Sequence, residues 1–249
     1  FRSAAEVEIM KAFLAALMFL TRIPVPKTEV SNTDWKKSPV YFPLIGLLIG
    51  GLLWLAIYGF GKLFLAPVSA FLIVLAWIWI TGGLHIDGWM DLADGFGSNR
   101  SREQMLEIMK DSRVGAMGVI AAICLIAGKI VAVYEVVELH EPLILVLSPW
   151  MARFLLICAI KFWPYRNESG LGSGLSAFLS YPILLFHLVL ILVISYWVTG
   201  LNGIVLLFMT SLLTFLFIFN IYRKLNMLTG DCYGAIVEWS ECVSLFLAL

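Results

Sequence analysis

Three carboxylates stand at spacings that let them act together: Asp87, Asp91 and Asp94, within Gly82-Gly83-Leu84-His85-Ile86-Asp87-Gly88-Trp89-Met90-Asp91-Leu92-Ala93-Asp94-Gly95. On a helix turning ~100° per residue, offsets of four and seven put all three on one stripe, facing one small volume. Like charges so placed repel, and a bound cation lets all three stay ionised together. Carboxylate oxygens suit Mg²⁺, with Mn²⁺ as a substitute, because these ions take a few carboxylates and leave positions for water and substrate phosphate. The chemistry to expect is metal-assisted phosphoryl transfer. A solvated acidic helix face is the plainer reading. It is disfavoured because the cluster ends a hydrophobic span in a chain with few charges, and because Gly83, Gly88 and Gly95 thin the helix for close approach.

Other polar stretches can complete such a site. Ser101-Arg102-Glu103-Gln104 has the form of a capping box, opening a short surface helix with Met105, Leu106, Ile108 and Met109 turned toward the membrane. It leads to Lys110-Asp111-Ser112-Arg113, where the basic pair can hold phosphate oxygens and Asp111 can add a ligand, although membrane-surface anchoring explains the two basic residues almost as well. Asp231, Glu238 and Glu241 share helical offsets of seven and three, extending the acidic surface from a second helix, so that one metal site assembles between two carboxylate-bearing helix ends. Trp163-Pro164-Tyr165-Arg166 precedes Gly170-Leu171-Gly172-Ser173-Gly174, a loop whose amides can admit phosphate but which by itself reads as a connection. His85, two residues before Asp87, is placed to support a ligand or touch substrate.

The elements that position these groups belong in a bilayer. Of 249 residues, 61% are hydrophobic and 14% charged, with zero formal net charge; the mean hydropathy is +0.94. Such a chain cannot clothe a soluble surface, and it has no basic field for nucleic acid. Cys124, Cys158, Cys232 and Cys242 are far apart and read as small core hydrophobes. Since a spanning helix needs ~20 apolar residues, residues 40–64, 67–84, 114–137, 142–162, 175–198 and 201–222 qualify, with shorter stretches at 13–20 and 232–249. The expected fold is an all-α, polytopic membrane bundle of about six to eight membrane helices plus a short cytoplasmic surface helix. Residues 1–9 read as a remnant outside the fold, 10–249 as one membrane-embedded catalytic domain, and no cleavable signal peptide is expected.

Alternating the spans puts residues 22–39, 98–113, 163–174 and 223–231 on one side. That side holds Arg22, Lys27, Lys36, Lys37, Arg100, Arg102, Lys110, Arg113, Lys161, Arg166, Arg223 and Lys224; the other holds Lys62. The positive-inside rule makes the first side cytoplasmic. Lys129 and Arg153 lie within apolar runs, where a charge must either snorkel or face the bundle interior.

Together these features resemble the cobalamin synthase family, the adenosylcobinamide-GDP ribazoletransferases. The resemblance rests on Phe19-Leu20-Thr21-Arg22-Ile23-Pro24-Val25-Pro26, Phe42-Pro43-Leu44-Ile45-Gly46, the Gly82 to Gly95 stretch, Met109 to Gly115, Arg166 with Gly170-Leu171-Gly172, and Thr229 to Ala235 with Glu238. Trp89-Met90 departs from the smaller aliphatic pair expected there. The resemblance implies transfer of the cobinamide phosphate of adenosylcobinamide-GDP to α-ribazole or its 5′-phosphate, releasing GMP and giving adenosylcobalamin or its 5′-phosphate, with Mg²⁺ required. It implies Asp87, Asp91, Asp94 and Asp231 as metal ligands, and a carboxylate base, Asp94 first and Asp231 second, with Asp91 also catalytic. His85, Lys110, Asp111, Arg113, Arg166 and Glu238 are expected against substrate. A prokaryotic plasma (inner) membrane with the motifs facing the cytoplasm follows, and a homo-oligomer stays open. A CDP-alcohol phosphotransferase would carry an Ala-Arg pair between its aspartates, and a transporter would place carboxylates near the bilayer midplane in related halves; neither pattern is present.

Overall fold

The computed structural model describes residues 4–166, 170 and 172–249; Phe1 to Ser3 of the N-terminal stretch and Leu171 of the glycine-rich loop lie outside them. The described residues form eleven α-helices: α1 (Ala4–Leu20), α2 (Asn32–Lys37), α3 (Phe42–Leu63), α4 (Ala66–Thr81), α5 (Leu84–Gly97), α6 (Arg102–Ile108), α7 (Ala116–Glu138), α8 (Ile144–Phe162), α9 (Tyr181–Thr199), α10 (Leu201–Leu225) and α11 (Gly230–Leu247). A 3₁₀ turn, Ser38–Tyr41, joins α2 to α3. The only β-type pairing among the described residues is one isolated bridge, Tyr165 to Leu228. Residues 4–9 continue α1 without a break, and Glu8 pairs with Lys37 at 2.8 Å.

Five helical stretches are long and apolar enough to cross a membrane, or six if the bent pair α4–α5 counts as one broken span. This is a polytopic membrane bundle. Its centre is α8, whose most apolar window is 89% buried, against 22% for α9 and 28% for α10. The outer helices turn Leu185, Phe186, Val193, Phe208, Leu216 and Phe219 outward, as lipid-facing surfaces should. Because lipid supplies no hydrophobic drive between helices, close backbone approach must hold α3 to α8. Gly46 and Gly50, one turn apart, provide it. A Cβ on Gly46 would overlap the Pro149 carbonyl oxygen, and one on Gly50 would lie 2.6 Å from that of Val146.

The structure departs from the sequence expectations at four places. Instead of one helix running out of the span through residue 95, α4 ends at Gly82 and α5 restarts after Gly83, both with positive φ (67° and 70°), and the two axes meet at 91°. Glycine alone adopts that left-handed pair cheaply, and the Arg22 side chain fills the space a Cβ on Gly82 would need. Helix α9 begins at Tyr181, not near 175, because Pro182 sits in its first turn; the preceding turns bury Leu175 and Leu179 instead. The capping box of α6 forms at Ser101 and Gln104, but Met105, Leu106 and Met109 pack into the protein rather than toward lipid. Helix α11, read as a shorter apolar stretch from residue 232, is not among the helices long and apolar enough to cross a membrane, and it packs against α5, α8 and α10.

Replacing Gly46 with Ala is expected to lower stability by ~1–3 kcal/mol, since neither backbone can retreat from the added methyl. Thermal unfolding in detergent measures it, and a midpoint at or above that of the parent protein would contradict the packing described.

Candidate active site

The right-angle turn at Gly82-Gly83 aims α5 across the first turns of α11. The crossing is glycine on glycine: a Cβ on Gly88 would lie 2.6 Å from the Asp231 carbonyl oxygen, and one on Gly234 only 3.1 Å from that of His85. Only at this separation do the aspartates of α5 meet the one on α11. Asp87 and Asp231 each occupy the first turn of their helix, where the dipole favours a negative charge. The Thr229 side chain caps α11 by accepting from the Cys232 N–H at 3.3 Å, and its hydroxyl donates to Asp231 Oδ2 at 3.3 Å. Asp91 lies within electrostatic reach of Asp231, Asp87 and Asp94. Asp87 is exposed and the other three are partly buried, so solutes can reach the group.

Asp94 differs from its neighbours. Its Oδ2 accepts the Gly115 N–H and its Oδ1 the Gly118 N–H, each at 2.7 Å, so the carboxylate caps the start of α7. With one amide on each oxygen, this carboxylate is committed to holding α7 in place. Among the described residues no three His, Cys, Asp or Glu side chains converge into a ligand set for a metal ion. The donors are nonetheless all carboxylate oxygens. Two of them, completed by phosphate and water, are what Mg²⁺ takes at a phosphoryl-transfer site, so Asp87, Asp91 and Asp231 fit an ion shared with substrate rather than caged by protein.

The remaining candidates divide between surface and core. Lys110, Asp111 and Arg113 lie on the turn between α6 and α7, beside the Gly115 contact of Asp94. Arg113 donates to Asp111 through Nε and Nη2, the closest contact being 2.6 Å, and this bonding holds the Asp111 carboxyl down to about 2. Arg166 is placed by its backbone N–H on Leu228 O at 2.9 Å, with Leu228 N–H on Pro164 O at 2.9 Å; the pairing ties the loop after α8 to the approach to α11. Tyr165 stacks on Tyr233 there, ring centroids 5.7 Å apart. Glu238 and Glu241, expected to extend the acidic surface, instead lie in the core. Lys129 bonds both at 2.5 Å, and Arg153 pairs with Glu241. With Glu238 3% exposed, its expected substrate contact gives way to an ion pair, since a carboxylate at that depth needs a cation. Arg153 also donates to His85 Nδ1 over 3.5 Å; His85, 4% exposed, supports α5 from within and lines a cavity beside Asp87 and Asp231.

Two features escaped the sequence reading. Lys129 and Arg153 stood out as deep charges, and Glu238 and Glu241, three residues apart, were the matching anions. Arg22, counted among the basic residues of one side and within the Phe19 to Pro26 stretch but given no role in the site, lines a cavity with Asp87, Gly82 and Gly83, and its backbone N–H donates to Ile80 O at 2.7 Å.

A family model described as cobalamin-5-phosphate synthase matches residues 12–249. The chain belongs to that family. Relatives of the cobalamin-5-phosphate synthase family named adenosylcobinamide-GDP ribazoletransferase align over nearly their whole length: 44% identity with one from Brevibacillus brevis (96% of this chain, 97% of that one), and 37% with one from Desulfitobacterium hafniense (95% of each). One from Clostridium botulinum is 36% identical, over 97% of this chain and 98% of its own. No solved structure matches. The chain is thus a membrane-embedded transferase of the cobalamin-5-phosphate synthase family. Trp89, at a place where a smaller residue was expected, is accommodated by packing: the indole N–H donates to Ala121 O at 3.1 Å, and the ring lies against Phe217 and Trp239.

Two substitutions separate the core charges from the surface ones. Lys129→Met, which strands Glu238 beside Glu241, is expected to cost ~3–5 kcal/mol and to lower the unfolding midpoint sharply. Asp94→Ala removes the cap of α7 and is expected to cost ~0.5–2 kcal/mol as well as activity. Calorimetry of the purified variants checks both; an unchanged midpoint for Lys129→Met would refute the buried pairing.

Proposed function

We propose that this chain is an adenosylcobinamide-GDP ribazoletransferase, working with Mg²⁺ or Mn²⁺ on adenosylcobinamide-GDP and α-ribazole or its 5′-phosphate. The observation that carries the reading is the crossing of α5 and α11, which sets Asp91 among Asp231, Asp87 and Asp94. The name shared by the relatives supplies the substrates.

In the reaction, a ribose hydroxyl oxygen of the acceptor attacks the cobinamide-side phosphorus. The bond from that phosphorus to the bridging oxygen breaks, GMP leaves with the oxygen, and the hydroxyl proton passes to a carboxylate. Asp231 is the better base, because its side chain accepts one long bond from Thr229 whereas both oxygens of Asp94 are occupied by amides. Asp87 and Asp91, with Asp231, would hold the metal ion, which when bound would offset the charge that builds on the leaving phosphate. Lys110, Arg113 and Arg166 orient phosphate oxygens, and Arg22 joins them beside Asp87. Arg113 must exchange part of its pairing with Asp111 for phosphate, an inexpensive step for a guanidinium 87% exposed. The distribution of Lys and Arg supports a site facing the cytoplasm from a prokaryotic plasma membrane.

The full chain in detergent or liposomes, given both substrates, is expected to release GMP with Mg²⁺ and to stop when the ion is chelated. Asp91→Asn is expected to lower kcat about 10³-fold while leaving the unfolding midpoint in place. Wild-type rates from Asp91→Asn at ordinary Mg²⁺ would remove the basis for the reading.

A further inference from the structure

A cavity of about 180 Å³ opens directly beside Asp87 and Asp231. One end is polar, formed by the first turns of α5 and α11. The rest is mainly aromatic and aliphatic: Phe19, Trp35, Phe42, Leu156, Tyr165 and Tyr233 line it from α1, α2, α3, α8, the loop after α8, and α11. Among the described residues no Lys or Arg lines it. The walls are stiffened by ring contacts, Phe19 edge-on to Trp35 at 5.0 Å and Tyr165 stacked on Tyr233. We propose that this cavity is the acceptor subsite, taking the flat, apolar benzimidazole base of α-ribazole and leaving its ribose at the aspartates. The proposal rests on the transferase reading above.

Size and polarity select this occupant. Pockets that engulf whole drug-sized ligands measure ~300–1,000 Å³, so neither a corrinoid nor a complete nucleotide fits, whereas one bicyclic ring does. A diphosphate belongs at the polar end with Asp87 and Asp231, since the aromatic walls offer it no Lys or Arg. Guanine, the donor's own base, is the serious rival. It carries donors and acceptors around its whole edge, more than two tyrosine hydroxyls and an indole N–H can satisfy, and leaving the others unpaired is costly. A dimethylbenzimidazole presents methyl groups to the same walls and stacks on aromatic rings without leaving a donor unpaired. With the base seated, the attached ribose lies at the polar end, where Asp231 is placed to take a hydroxyl proton.

Binding of α-ribazole alone to the full chain in detergent, followed by calorimetry without donor or metal, tests the subsite, beside steady-state GMP release. Leu175→Phe, which pushes a ring into the cavity, is expected to weaken α-ribazole binding at least about tenfold and to leave the KM for adenosylcobinamide-GDP within about twofold. Tyr233→Leu, a smaller change should the first variant fail to fold, is expected to weaken α-ribazole about three- to tenfold. Raised donor KM with unchanged α-ribazole affinity would assign the cavity to guanine and overturn the proposal. Unaltered affinity in a folded variant overturns it too, while wild-type turnover leaves the transferase reading standing. Absence of GMP release from the wild type would overturn that reading and the subsite with it.

Discussion

Two cations and two carboxylates, Lys129, Arg153, Glu238 and Glu241, are buried together where α7, α8 and α11 meet, and the arrangement of the remaining helices depends on that contact. In a membrane interior each charge alone would be prohibitive, and paired they balance. Such a cluster adds little stability over a well-packed apolar substitute, but it is intolerant of misalignment, because any shift strands a charge. It therefore fixes the register of α11 against α7 and α8. The Lys129 ammonium is further enclosed by the Trp77 ring of α4, 4.5 Å from its centroid. Arg153 carries the same constraint to α5 through His85. Ser148 and Ser244 extend the polar seam: the Ser244 hydroxyl donates to Ser148 Oγ at 2.7 Å and also lies 2.9 Å from the Glu241 carbonyl oxygen, to which Ser148 donates at 3.1 Å.

From that fixed register the site follows by close approach. Once α11 is set, Gly234 and Gly88 allow α5 to lie on its first turns, and Gly115 and Gly118 allow Asp94 to seize the start of α7. Asp94 thus joins the site to the bundle, while Asp87, Asp91 and Asp231 face the solutes. Glycine performs two different tasks here. At Gly82 and Gly83 it supplies backbone angles that turn the chain through a right angle; at Gly88 and Gly234 it supplies the absence of a side chain.

Much of this was legible in the sequence, and the failures have a common origin. Apolar runs located α3, α4, α7, α8 and α10 closely, because lipid demands long uninterrupted helices. The aspartate stripe was visible because an offset of four or seven needs only local helix geometry. What spacing along one helix cannot show is which helix lies opposite. For that reason Asp94 looked like a ligand and base before the amides of Gly115 and Gly118 were seen against it, and α5 looked like the end of α4 although Gly82-Gly83 was a written signal for a break. Glu238 was misread on the same ground. Its partner Lys129 lies 109 residues away, and a pairing at that separation belongs to the fold, not to any local pattern.

Helix α11 shows why one residue type in one stripe can carry opposite roles. Asp231 and Glu238 are seven residues apart, ~10 Å along the axis, and nearly eclipsed around it. The first sits in the opening turn, partly exposed and beside the aspartates of α5; the second lies 3% exposed against Lys129. Depth, not spacing, decides between reactivity and structure, because the same carboxylate that can exchange a proton or cation near water must be permanently neutralised by a fixed partner two turns deeper. The stripe on α11 is therefore continuous in sequence and divided in function, and its buried half holds its exposed half against α5.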